Sequence, residues 1–356
     1  MSRTSSRRTT ALAAASGLAI LLSSCSAAPS TDADDNTLVL SAFPFGVEQF
    51  QEAIIDPFEA ATGITVEVET GSNADRLSSL ELAGDSSGID VMLISDFYAA
   101  MGQDKDLFEA VDESSVPNLA NIADFAKSAD FSGPSYSYQL NGVLYRTDDL
   151  TQAEAADWDL YGNSEYAGRL AFPDISTTGG QLAVTAVAET HGADAYDIDA
   201  SLATLGEWAP NILKFVSSST EITNLLVQGE IVAAPTLNGF ATSLVAAGEP
   251  VAWTANDDGK FMATNRAMIP VGAPHAAAAH EFIDYLLSEE AQTASAAIVG
   301  DLPVNPSATI PESLTAVVGD IAIDPIAAGF STLNFSTVVA NYDDWVNRFA
   351  REVSSK

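Results

Sequence analysis

The 356-residue chain holds a single cysteine, three histidines and only 14 lysines and arginines against 49 aspartates and glutamates. One cysteine excludes an internal disulfide framework, and three scattered histidines exclude a zinc cluster. The formal net charge of −35, with no basic stripe to offset it, would repel a phosphate backbone, which excludes nucleic-acid binding. No apolar run reaches the ~20 residues a membrane-spanning helix needs. No Gly-x-Ser-x-Gly elbow is present for a hydrolytic serine, and Gly179-Gly180 is too short for a phosphate loop. What is there is hydrophobic substance: 47% apolar residues, enough for one large or two ordinary domains with a sizeable core, and far too much for disorder.

The first residues read as an address. Arg3, Arg7 and Arg8 precede an apolar run from Ala11 to Leu22, a charged leader and short hydrophobic segment of secretory type. Leu22-Ser23-Ser24-Cys25 resembles the bacterial lipobox, in which the cysteine becomes the acylated first residue of the mature chain. That resemblance implies a signal peptide over 1–24, lipidation at Cys25, and a small, polar tether over 25–36. Diacylation plus an N-acyl chain suffices for stable anchoring, at about 0.8 kcal/mol per buried CH₂.

Beyond the tether the pattern alternates. Thr37 to Phe43 reads as a buried strand. Val47 to Thr62 reads as a helix closed by Gly63, Ile64 to Glu69 as a strand, Asp75 to Ala83 as a helix, and Ile89 to Ile94 as a buried strand. Tyr136 to Tyr145 is strand-like, and Trp158 to Ala171 is aromatic and loop-rich. A helix is expected from about Thr177–Gln181, an extended segment over Phe261–Pro270, and one long amphipathic helix over Pro274–Gly300. Alternating β and α segments point to α/β architecture with a largely parallel sheet, and the length favours two such lobes.

Several local patterns, in order, carry a resemblance. Phe58-Glu-Ala-Ala-Thr-Gly-Ile-Thr-Val66 is followed by Gly88-Ile-Asp-Val-Met-Leu-Ile-Ser95. Then come Trp158-Asp-Leu160 with Tyr166-Ala-Gly-Arg-Leu-Ala-Phe-Pro-Asp174, and Val227-Gln-Gly-Glu230. Last are Ile269-Pro-Val-Gly-Ala-Pro274, Phe282-Ile-Asp-Tyr-Leu-Leu-Ser-Glu-Glu-Ala-Gln292 and Leu302-Pro-Val-Asn305. Behind a lipobox, this series resembles the extracellular solute-binding proteins of bacterial ABC importers, and is most similar to their spermidine/putrescine-binding branch. The resemblance implies an α/β, two-lobe, periplasmic-binding-protein-like (type II) flytrap. Lobe 1 is expected over 37–140 and 262–300, and lobe 2 over 141–261 and 301–356. It implies a lipid-anchored monomer on the outer face of the plasma membrane that passes a small polar solute to an ABC permease, without catalysis, cofactor or metal.

In open α/β sheets, ligands sit beyond the carboxyl ends of strands. That rule nominates Phe43 and Phe45 after the first strand, Ser72 and Asn73 after the second, and Ser95, Asp96, Phe97 and Tyr98 after the third. It adds Tyr136 and Tyr138 on the crossing segment, Asp174, Thr177, Thr178 and Asn238 from the second lobe, and Phe261 on the return crossing. Asp96 beside Phe97-Tyr98 offers a cationic amine a charge-assisted hydrogen bond and an aromatic face. Equally, Asp96 caps the next helix and Phe97 packs in the core. Asp174 matches the first acid of the polyamine binders' pair, but Thr177 stands at the second. Leu237 and Phe261 occupy the slots of that branch's stacking tryptophans, and Ala263 replaces a further acid. The expected solute is a polyamine-like organic cation. The alternatives are a small anion held at the turn that opens the Thr177 helix, iron, or a thiamine- or phosphonate-type ligand; further off lie a secreted enzyme using Asp96 and Asp174, or an adhesion protein of the same shape.

Overall fold

The computed structural model describes residues 36–127 and 130–356; the leader, the lipobox and Cys25 lie outside the described residues. Among the described residues, eleven strands form one mixed sheet. They are β1 (Thr37–Ala42), β2 (Thr65–Thr70), β3 (Val91–Ser95), β4 (Phe108–Glu109), β5 (Ser135–Arg146), β6 (Leu170–Pro173), β7 (Ile212–Val216), β8 (Ala233–Leu237), β9 (Val251–Thr254), β10 (Met262–Pro270) and β11 (Leu302–Pro303). The principal order is β2-β1-β3-β10-β5-β8-β6-β7.

The twelve-residue β5 divides this sheet. Its residues up to Leu140 pair antiparallel with β10, and those from Asn141 onward pair antiparallel with β8 and β9. On the first side, β1 lies parallel between β2 and β3; on the second, β6 lies parallel between β7 and β8. The sequence reading put 301–356 with the second lobe, but β11 pairs with Ser137 and Tyr138 in the first half of β5.

The local sequence explains the elements. β3 is buried at every position, as a central strand covered on both faces must be. The helical stretch from Val47 to Thr62 is continuous but widens into a π-helical turn over Gln51–Ile55. Pro57 has no N–H for the carbonyl of Ala53 and would clash with it in a regular helix, and the wider turn relieves both faults. Phe50, Ile54, Ile55 and Phe58 still reach one buried face. Gly63 ends this helix at φ 75°, the left-handed conformation expected of a helix terminator.

The single helix expected over Pro274–Gly300 is two, Ala276–Leu286 and Glu289–Ile298. Ser288 breaks it by accepting a 3.2 Å hydrogen bond from Ala291 N, which makes it the cap of the second helix. The carbonyls freed at the break are satisfied from outside. Gln292 Nε2 donates to Leu286 O at 2.9 Å, and Asn305 Nδ2 to Leu287 O at 3.0 Å.

Candidate ligand cleft

Where the two halves of the sheet meet, they enclose a cavity of about 350 Å³. The first half supplies Phe43, Phe45 and Phe50, then Asn73, Ser95 and Tyr136. The second half supplies Thr177, Thr178 and Gly179, the run Ser217–Ser219, and Leu237 with Phe240. Gln139, Ala263 and Asn265 form the floor on the crossing strands, and Val299, Gly300 and Asp301 close one side. Phe45, which is exposed, and Phe240 meet at the mouth with ring centroids 5.6 Å apart and their planes tilted by 38°.

Of the residues nominated from sequence, Phe43, Phe45, Asn73, Ser95, Tyr136, Thr177 and Thr178 line this cavity. The others have different work. Asp96 is buried: its Oδ1 accepts from Phe97 N at 2.8 Å, and its Oδ2 from Thr264 N at 2.7 Å and Thr264 Oγ1 at 3.3 Å. It ties the start of helix Asp96–Gln103 to β10, and burial pushes its carboxyl up to about 6. Ser95 takes the cleft-facing place at the end of β3 and Asp96 turns inward. Phe97 is fully buried and packs on Tyr342 at 4.7 Å, and Tyr98 packs edge-on against Phe97.

Tyr138 is buried with its hydroxyl donating to Ala322 O at 2.8 Å. Ser72 caps helix Asn73–Ala83 by accepting from Asp75 N. Asp174 turns its Oδ1 to Ser176 N and Oγ, closing a tight loop and not the cavity wall. Asn238 is buried and its Oδ1 accepts from Leu140 N at 2.7 Å. Phe261 is a core residue, bridged through its backbone to Ser331.

The hydroxyl-rich turn forms as a cap. Thr177 Oγ1 accepts from Gly180 N at 3.0 Å and donates to Asp174 O at 2.8 Å, opening helix Thr178–His191. Helix Ser219–Val227 also begins on this wall.

Sequence reasoning missed Gln139, Ser217–Ser219, Phe240, Asn265 and Asp301. Asp301 matters most. Among the described residues lining the cavity it is the one carboxylate, and neither lysine nor arginine lines it. Its Oδ2 accepts from Ser295 Oγ at 3.0 Å, and burial pushes its carboxyl up to about 6. Burial of the neighbouring Tyr136 hydroxyl, and second to it the charge of Asp301, hold that hydroxyl well above the usual phenol range. Arg76 stands behind the wall with its ring-facing guanidinium 5.1 Å from Phe43. It donates to Gly71 O, Ser41 O, Leu93 O and Asn73 Oδ1, so its fork is engaged by acceptors of the wall itself.

Residues 53–318 match the model of the bacterial extracellular solute-binding protein family. The chain belongs to that family. A spermidine/putrescine-binding periplasmic protein of Haemophilus influenzae is 23% identical over 270 residues, 74% of each chain. The crystal structure of an ABC transporter protein from Clostridium perfringens matches with a TM-score of 0.75 at 27% identity, over 89% of this chain and 99% of that one. A spermidine/putrescine ABC transporter substrate-binding protein from Streptococcus pneumoniae matches with a TM-score of 0.71 at 19% identity, over 89% and 99%. The fold of this solute-binding protein is therefore the two-lobed flytrap. It is an extracytoplasmic substrate-binding protein of an ABC transporter, in a family of transport proteins rather than enzymes.

Proposed function

We propose that this solute-binding protein captures a small organic cation in the cleft and hands it to its permease while anchored to the membrane through Cys25. The lobes would be 37–140 with 262–309, and 141–261 with 310–356, hinged where β5 passes Leu140 and where the chain returns before Met262. Binding energy from both walls would favour the closed arrangement. The observation that carries the reading is Asp301 in a cavity walled by aromatic rings, with no lysine or arginine among the described residues that line it. A carboxylate sheltered from water makes a strong charge-assisted bond to an ammonium, and each aromatic face adds about 0.5–2 kcal/mol of cation–π attraction. The net charge of −35 steers cations toward the surface, an effect that fades with salt.

One observation favours a second reading, a small anion: two helices begin on the wall formed by Thr178–Gly179 and Ser219. A thermal-shift screen of amines, carboxylates and phosphates separates the two. A solute at 100 times its Kd stabilises the folded state by about 2.7 kcal/mol. We expect amines to raise the melting temperature and simple anions to leave it unchanged; stabilisation by anions alone would reverse the assignment.

A further inference from the structure

The homologue's named solutes carry two or more amines, and the cleft of this chain is not built symmetrically for them. On the first-lobe side Asp301 faces the cavity beside Tyr136 and Phe50. On the second-lobe side the wall consists of Thr178 and Gly179, the hydroxyls of Ser217, Ser218 and Ser219, and the apolar Leu237 and Phe240. The carboxylates nearest in sequence to that wall do not reach it. Asp174 is folded onto Ser176, and Glu221 is paired with Lys214.

We infer that Asp301 is the sole charge anchor of the cleft, and that the solute carries one ammonium at this end and a hydrogen-bond-accepting group, uncharged or anionic, at the other. The inference rests on reading the cleft as a cation site and narrows it. A second ammonium would lose its water against a wall without a counter-charge, an uncompensated cost. It would also face the partially positive starts of helices Thr178–His191 and Ser219–Val227. A carboxylate, amide or hydroxyl at the same place would accept from the serine hydroxyls. Burial raises the Asp301 carboxyl to about 6, against the Ser295 hydrogen bond that lowers it, and an ammonium beside it would favour the carboxylate form.

The test is calorimetric titration of the intact protein at neutral pH with alkyl chains of matched length. Each length is supplied as the diamine, the amino alcohol and the ω-amino acid, with the fatty carboxylate as control. At the best-fitting length, the amino alcohol or the ω-amino acid is expected to bind about tenfold or more tightly than the diamine. Asp301→Asn keeps the side-chain shape and the Ser295 contact, and is expected to cost the best ligand about tenfold or more in affinity while the circular-dichroism melt stays cooperative. The comparison within the wild type needs no variant, so it stands even if Asp301→Asn folds poorly. A diamine that binds most tightly, with Asp301→Asn still weakening it, overturns the single-ammonium inference and leaves the cation reading intact. Unchanged affinity in a folded Asp301→Asn overturns Asp301 as the anchor. Binding of the carboxylate control alone, or of no member of the panel, overturns both.

Discussion

Two carboxyl groups, Asp96 and Asp301, are both pushed up to about 6 by burial, yet they serve different ends. Asp96 meets three donors from Phe97 and Thr264 and has no face on the cavity; Asp301 meets only Ser295 Oγ and does. The rule that ligands sit past strand ends pointed at Asp96 because it follows β3 directly. It could not resolve which of two consecutive residues turns inward. Asp301 follows Gly300 in the loop before β11, and its arrival in the cleft depends on how helix Glu289–Ile298 packs beside the first helix, which no local pattern encodes. Removal of Asp96 is expected to be a matter of stability. Asp96→Ala leaves the buried Thr264 N–H unpaired, a loss of about 1–3 kcal/mol in urea denaturation at neutral pH, with ligand affinity of the folded protein unchanged. The pH dependence has a definite sign. The folded carboxyl titrates near 6 and the unfolded one near 3.8, so between these values the folded state holds a proton that the unfolded state has released. The stability Asp96 contributes is full below the unfolded value and declines as pH rises through about 6. The gap between wild type and Asp96→Ala should therefore be wider at pH 4 than at pH 7, and a gap that widens with pH would refute this assignment.

At the scale of the element, most of the strands and helices were legible because their periodicity is a local property. β1, β2, β3, β5 and β10 lie within a few residues of the expected segments, as does the helix closed by Gly63. The departures have local chemistry as well: Pro57 opens a π turn, and Ser288 splits one expected helix by capping its second half. The turn from Asp174 to Gly180 is the element that places Thr177, Thr178 and Gly179 on the cavity wall. It closes so tightly that a Cβ at Gly180 would lie 1.8 Å from the carbonyl oxygen of Asp174 and 2.4 Å from its carbon. Backbone cannot yield there as a flexible side chain would. Gly180→Ala is expected to open the turn, break the Thr177 cap and destabilise the protein by about 1–3 kcal/mol, with weaker binding as the cavity wall shifts. Denaturation and titration of this variant that match the wild type would show the turn to be looser than its geometry indicates.

At the scale of the molecule, the halves are joined by more than the crossing strands. Helix Phe335–Phe349 is fixed to the second half by Phe349 against Phe215 and by Arg348 with Asp199. It reaches the first half through Tyr342 on Phe97 and Phe335 on Phe131. The Tyr342 hydroxyl also donates to Ser176 O, in the turn that borders the cleft. This arrangement was invisible in the sequence because it pairs segments over a hundred residues apart, whereas the succession of α and β segments and the ordered motifs sufficed to indicate two lobes. Among the described residues, the cavity where the halves meet is lined by the aromatic pair Phe45 and Phe240 at its mouth and by one acid, Asp301. The account is tested most directly by a crystal structure of the protein with the tightest-binding amine from the titration panel. It predicts the solute inside the cavity, behind the Phe45–Phe240 pair, its nitrogen about 2.7–2.9 Å from a carboxylate oxygen of Asp301. A solute bound elsewhere, or one in the cleft with its nitrogen turned away from Asp301, would contradict it.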